Sequence, residues 1–141
     1  MGLPLIFFVV LNRAPRLART LLMVSTDDVA RKLVITSARR VGYQVVHVYR
    51  HEDGLEKLRQ NMDLRMIVID DSVPQYEAGL MLSMLKSMPI GVRPLILIVD
   101  SAELGMTAPS YRAEAVVSRP LSEKALEDAI RRVHERLEML G

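Results

Sequence analysis

Short apolar runs recur along this chain at residues 21–24, 45–48, 66–69, 95–99 and 115–117, separated by polar breaks and helically spaced stretches. Runs with little polar alternation read as strands buried on both faces, the pattern of a parallel sheet. After the first run, Val29, Leu33, Val34, Ser37, Ala38 and Val41 recur at helical spacing up to Gly42, a helix stop. The HEDG turn at residues 51–54 opens a second helix, carrying Leu55, Leu58 and Met62. After the central run, residues 79–88 hold Leu80, Met81, Leu82, Met84 and Leu85 and predict a helix closed by Pro89. Residues 100–112 contain Gly105 and Pro109 and allow only a short or broken helix. Ser122 is placed to cap a long final helix.

Strands and helices in this alternation predict an α/β fold. The expected form is a doubly wound, five-stranded parallel sheet in the flavodoxin-like order 2-1-3-4-5, its switch point beside the first strand. At 141 residues the chain is one domain of ordinary size. Residues 1–19 depart from the pattern: residues 3–11 are almost wholly apolar, and Arg13, Arg16 and Arg19 follow with Pro15 among them. That apolar stretch is too short to span a bilayer, and a secretory signal carries its positive charge ahead of the apolar segment. Residues 1–19 are therefore expected to form an extension of unknown role, and residues 20–141 the domain.

Charge and composition narrow the function classes. The 19 Lys and Arg balance 17 Asp and Glu along the chain, which offers no basic face for nucleic acid or a membrane. With no cysteine there is no disulfide, thiol nucleophile or cysteine metal site, and His47, His51 and His134 lack zinc-ligand spacing. Aromatics at 4% and the lack of tryptophan argue against a base-stacking platform or a carbohydrate cleft.

Candidate chemistry concentrates in residues 66–79, MIVIDDSVPQYEAG. Here the central apolar run stops at two carboxylates, Asp70 and Asp71. Asp70 is expected at the carboxyl end of a central strand, the edge of an open α/β sheet where ligands bind.

Taken together, LLMVSTDDVARKLV with its helix stop at Gly42, EDG at residues 52–54, IVIDDSVP followed by a glycine, PLILIVDS, and VVSRP at residues 116–120 form an ordered series. In that order and spacing the chain resembles the receiver domains of two-component response regulators over residues 20–140. The resemblance implies a CheY-like fold and a phosphoacceptor aspartate at the end of the third strand. Asp70 matches it, with Pro74 at the family's distance, while Gly79 falls one residue late. Asp71 is the other candidate, one position out of register.

Phosphoryl transfer to a carboxylate concentrates negative charge, so the site would need Mg²⁺ held by carboxylate oxygens. Receivers place an acidic pair directly after the first strand; this chain has Ser25 and Thr26 there, and Asp27 and Asp28 next. Asp27 can cap the following helix or serve as a displaced metal ligand. Where receivers carry a hydroxyl at the end of the fourth strand, the aligned residue is Val99. Their lysine before proline is Arg119 before Pro120, a planar fork that does not replace a compact ammonium. Val116 stands at the position of the aromatic switch residue. These departures predict an atypical, or pseudo-, receiver in which Arg119 and backbone amides hold Asp70, with no cofactor and no catalysis. The alternative is a genuine phosphoacceptor, with Asp70 phosphorylated by a histidine kinase and Mg²⁺ held by Asp70 with Asp27 or Asp71.

Other classes fit the same loops less well. A flavin binder needs a glycine- and hydroxyl-rich phosphate loop, whereas STDD brings two carboxylates and no glycine. A cobalamin module needs a strand-end histidine in a suitable context, and a hydrolase needs a base beside Ser25 or Ser72; neither is evident. In the final helix, Leu126, Ile130, Val133, Leu137 and Leu140 form a seam that serves either the core or a partner, through a homodimer contact or a linker to an output domain. The expected protein is a cytoplasmic signalling module that works by protein–protein contact, without direct nucleic-acid or membrane binding.

Overall fold

The computed structural model describes residues 19–60, 63–86, 93–100 and 112–140. Residues 1–18 of the expected extension, Met62, Pro89 and the stretch around Gly105 and Pro109 lie outside the described residues. The elements are β1 (Thr20–Val24), α1 (Asp28–Val41), β2 (Gln44–Val48), α2 (His51–Gln60), β3 (Leu64–Asp70), α3 (Gln75–Lys86), β4 (Leu95–Val99), β5 (Ala115–Ser118) and α4 (Glu123–Leu140). The strands pair in parallel in the order β2-β1-β3-β4-β5, the doubly wound topology that the apolar runs predict.

Alternate residues of each strand serve opposite faces, and both faces are covered. Leu21, Met23, Met66, Val68, Ile96, Ile98 and Val117 pack on Ala30, Val34 and Ala38 of α1 and on Leu126, Ala129, Ile130 and Val133 of α4. Leu22, Val24, Val48, Ile67, Ile69 and Leu95 pack on Leu55 and Leu58 of α2 and on Ala78 and Met81 of α3. Each fully buried aliphatic side chain contributes roughly 1.5–3 kcal/mol, so the two helical layers hold the sheet in register.

Local sequence sets the element ends. Gly42 adopts the left-handed conformation at φ 95°, which a Cβ would disfavour. Its N–H and that of Tyr43 donate to the carbonyls of Arg39 and Ala38 at 3.0 and 2.9 Å, closing α1. One boundary differs from expectation: α3 starts at Gln75 rather than near residue 79. Pro74 presets the first turn, its carbonyl accepting the Ala78 N–H at 3.0 Å. The first turn carries exposed Gln75 and Tyr76, so the apolar spacing starts later than the helix does. Among the described residues no helix is long and apolar enough to cross a membrane.

Gly54 shows how closely α2 lies on the sheet. A Cβ there would meet Val24 Cγ2 at 3.2 Å and Met81 Cε at 3.3 Å. Replacing a helical glycine by alanine ordinarily stabilises by about 1 kcal/mol. Val24 is β-branched and fully buried, so it has little room to yield. Gly54→Ala is therefore expected to lower the urea midpoint, and Gly54→Val to cost about 1–3 kcal/mol. A raised midpoint for the alanine variant would show that the neighbours give way.

Candidate functional site

The chain runs from β1 out to β2 and then back across β1 to β3, so the switch point lies between the carboxyl ends of β1 and β3. Val24 pairs with Ile69 there, which brings Ser25 beside Asp70. Asp70 is 1% exposed, and both of its oxygens are engaged. Ser25 Oγ donates to Oδ2 at 2.6 Å, while the Ser72 amide donates to Oδ1 at 3.1 Å. The Ser72 hydroxyl also donates to Oδ1, and accepts the Thr26 N–H at 2.8 Å. Ser25 Oγ in turn accepts the Asp27 N–H at 2.9 Å, and the Ser25 carbonyl accepts from His47 Nε2 at 2.9 Å. A net of hydroxyls and amides thus surrounds the one buried carboxylate of the site.

Arg119 reaches this net from the end of β5. Its N–H donates to the Val99 carbonyl at 3.0 Å, and the Arg119–Pro120 peptide is cis. The guanidinium spans three carboxylates. Nη1 lies 3.1 Å from Asp27 Oδ2 and Nη2 lies 3.4 Å from Asp70 Oδ2. Nε and Nη2 each lie 2.9 Å from Asp71 Oδ1. Asp71 Oδ2 accepts the Asp100 N–H at 2.9 Å, tying the end of β4 to the same group. Asp27 divides its two oxygens: Oδ1 caps α1 by accepting the Val29 and Ala30 amides at 3.0 and 3.2 Å, and Oδ2 faces Arg119.

These contacts set the ionisation of the groups. Burial is the largest influence on Asp70 and holds its pKa above the usual carboxylate value, against the opposing pull of Ser25, Ser72 and Arg119. Asp27 is held below that value, chiefly by the Ala30 amide, with Val29 and Arg119 adding to it. The bond to Asp71 raises the pKa of Arg119 further, so the guanidinium stays charged.

The structure brings Ser25, Thr26, Asp27, Asp70, Asp71 and Arg119 to one edge, with buried Val99 below it offering only its carbonyl. Thr26 contributes its backbone N–H. Among the described residues no group of three or more His, Cys, Asp or Glu side chains is arranged to hold a metal ion. Ser72, weighed from the sequence only as a nucleophile without a base, is here a partner of Asp70. Its signal is the Asp-x-Ser spacing, which lets an aspartate accept from the amide two residues on.

Of the two roles open to the seam on the last helix, core or partner surface, its first three members take the core and are not a partner surface. Leu126, Ile130 and Val133 are buried in the core, and Leu137 packs against it. The reason is that α4 turns this face onto the sheet and α1. Val116 is partly buried, and the Leu140 side chain lies outside the described residues.

Two substitutions read out the charge balance. Arg119→Met leaves three carboxylates without their shared cation. Its expected cost at pH 7 is about 2–3 kcal/mol, below the 3–5 of a fully buried pair because the side chain is 27% exposed. Asp70→Asn is expected to raise stability at pH 7. A raised folded pKa means that the stabilising contribution of protonated Asp70 is complete below the unfolded value and lost as pH rises through the folded one. The gain should therefore vanish below about pH 3.8, and urea melts across pH 3–7 measure both effects.

No family model matches the chain, and no curated protein matches it in sequence. Solved structures do. A response regulator receiver domain from Clostridium thermocellum superposes with a TM-score of 0.72 at 15% identity, covering 86% of this chain and 98% of that one. The receiver domain of the Francisella response regulator 1452 gives 0.69 at 19%, covering 84% and 98%. A two-component system response regulator/GGDEF domain protein gives 0.74 at 20%, covering 86% of this chain and 51% of the longer one. At these identities the likeness speaks to architecture: the described chain has the CheY-like receiver fold.

Proposed function

We propose that this chain is an atypical receiver domain, a signalling module that works by protein–protein contact and not by conventional phosphorylation of Asp70. The observation that carries this reading is the Arg119 guanidinium lying among Asp27, Asp70 and Asp71 at 2.9–3.4 Å. A carboxylate that attacks phosphorus needs a free oxygen lone pair directed outward, and a compact cation to take up the incoming charge. Asp70 is 1% exposed and its oxygens accept from Ser25, Ser72 and Arg119. The planar fork of arginine spreads its charge over three partners and is directed by five fixed N–H donors. Val99 has no hydroxyl to donate to a phosphoryl oxygen.

The receiver neighbours support the signalling class. One of them is by name a response regulator/GGDEF domain protein, which favours an output domain or a separate protein as partner. Contact falls to the β5 edge at Val116 and to the outward face of α4, since the apolar face of that helix is used by the core. Met139, 87% exposed near the end of α4, is a large apolar side chain open to a partner or a second copy. On this reading the module acts in the cytoplasm, without a cofactor and without enzymatic turnover.

Amide NMR spectra during addition of Mg²⁺ and then beryllofluoride, which mimics an aspartyl phosphate, test this reading. The expected spectra stay unchanged at millimolar concentrations. Saturable shifts across residues 25–28 and around Asp70, abolished in Asp70→Asn, would instead establish a phosphoacceptor with an Mg²⁺ site.

A further inference from the structure

A second polar cluster lies at the opposite edge of the sheet, away from Asp70. Arg19 enters β1, Tyr43 links α1 to β2, Arg65 lies near the start of β3, and His134 and Glu138 project from the last turns of α4. Arg19 Nη1 lies 3.2 Å from His134 Nε2, and Tyr43 Oη lies 2.9 Å from His134 Nδ1. The tyrosine and histidine rings meet edge to face at 5.5 Å. Glu138 Oε1 lies 2.9 Å from Arg19 Nη2, 3.7 Å from Arg65 Nη1 and 3.9 Å from His134 Nε2.

The donor inventory fixes the imidazole. A guanidinium only donates, so Nε2 must offer its lone pair to Arg19. The ring proton then resides on Nδ1 and is donated to the Tyr43 oxygen. Tyr43 is 1% exposed, so the partner of His134 is built into the core and not on a mobile surface. The neutral Nδ1–H tautomer alone makes both bonds.

We propose that neutral His134 is a proton-sensitive pin that holds the C-terminal turns of α4 to the amino-terminal edge of the sheet and releases them on acidification. Protonation puts a hydrogen on Nε2, directly facing the Arg19 N–H groups. One hydrogen bond is lost, and two like charges stand about 3 Å apart. Among the described residues, the charged groups around the ring are Arg19 just before β1, Arg65 from β3, and Glu135 and Glu138 from α4 itself; Tyr43 is the titratable neighbour from the α1–β2 link. Glu138 is already shared by both arginines, which limits what it can return to an imidazolium.

The ionic balance follows the geometry. Burial first, and Arg19 next, hold the His134 pKa below its usual 6.5, against Glu138. A depressed folded pKa means that the pin is fully effective above the unfolded value and is lost as pH falls through the folded one. The responsive window therefore lies below about pH 6.5. Its output is local, at the end of the helix whose outward face the proposed contact uses, but the pin stands on its own contacts whatever that partner is.

Nitrogen NMR of the imidazoles and amide exchange across residues 134–139, recorded from pH 7.5 to 5, test the pin. Expected are an unprotonated Nε2 at pH 7.5, a His134 midpoint below 6.5, and a loss of at least about tenfold in protection of these amides relative to α1 below that midpoint. Exchange is referred to α1 at each pH, which removes the intrinsic pH dependence and any global change in stability. His134→Gln is expected to flatten the profile, and Arg19→Met, which removes the facing cation, to raise the His134 midpoint. A midpoint at or above 6.5, an Nε2–H tautomer, or protection that stays level through the midpoint would overturn the proposal, and each is readable in the unmodified chain.

Discussion

The carboxyl edge of this domain depends on one guanidinium shared by three carboxylates. Asp27 comes from the loop after β1, Asp70 and Asp71 from the end of β3 and the turn that follows it, and Arg119 from the end of β5, so these three segments are held to one another by charge. None of the carboxylates is free to settle independently. Asp27 is bound on its other oxygen to the first amides of α1, and Asp71 on its other oxygen to the Asp100 amide. Moving Arg119 therefore disturbs a helix cap and the end of β4 as well as an ion pair. Asp70 differs from the other two because it is buried beneath hydroxyls, where the cost of ionisation outweighs the help it receives. A site built this way favours one fixed arrangement, and the parallel pairing of β1 with β3 supplies its foundation.

Most of the architecture was legible in the sequence because parallel strands covered on both sides leave a strong mark. The uninterrupted runs ending at Val24, Ile69 and Val99 correspond to β1, β3 and β4, and the Gly42 stop to a left-handed cap. The start of α3 was hidden because its first turn is exposed and carries no apolar spacing. The site was legible in part. Asp70 could be placed from the strand that precedes it, and Arg119 from the proline that follows it, since both are local features. What sequence alone did not carry was the sharing of Arg119 among three acids, which depends on the relative position of loops far apart in the chain. The role of Ser72 beside Asp70 was hidden because a serine within a turn has many local uses, and only the fold brings it under Thr26.

The last helix was the harder case, since an apolar seam at alternating spacings of three and four has the same sequence signature whether it faces a sheet or a partner. Burial of Leu126, Ile130 and Val133 assigns this face to the core. Polar contacts to distant parts of the chain then locate the helix along its length. Near its start, the Ser37 hydroxyl donates to the Glu123 carbonyl at 3.1 Å and Arg40 pairs with Glu123 at 2.9 Å. Near its end, His134 and Glu138 meet Arg19, Tyr43 and Arg65.

These two ends are held by groups of different kinds, and this decides where the helix can respond to its surroundings. The Arg40–Glu123 pair is about half exposed, at 50% and 42%, and such a pair is worth little and is weakened by salt. The backbone acceptor of Ser37 carries no titratable proton. At the other end, the bonds of His134 need one tautomer of a group that titrates near neutrality, beside a fixed cation. The aliphatic layer between them resists change, because shifting it exposes Ile130 and Val133 to water. A movement of α4 that leaves the core intact is thus confined to its last turns, and the imidazole is the element there whose charge can change under mild conditions.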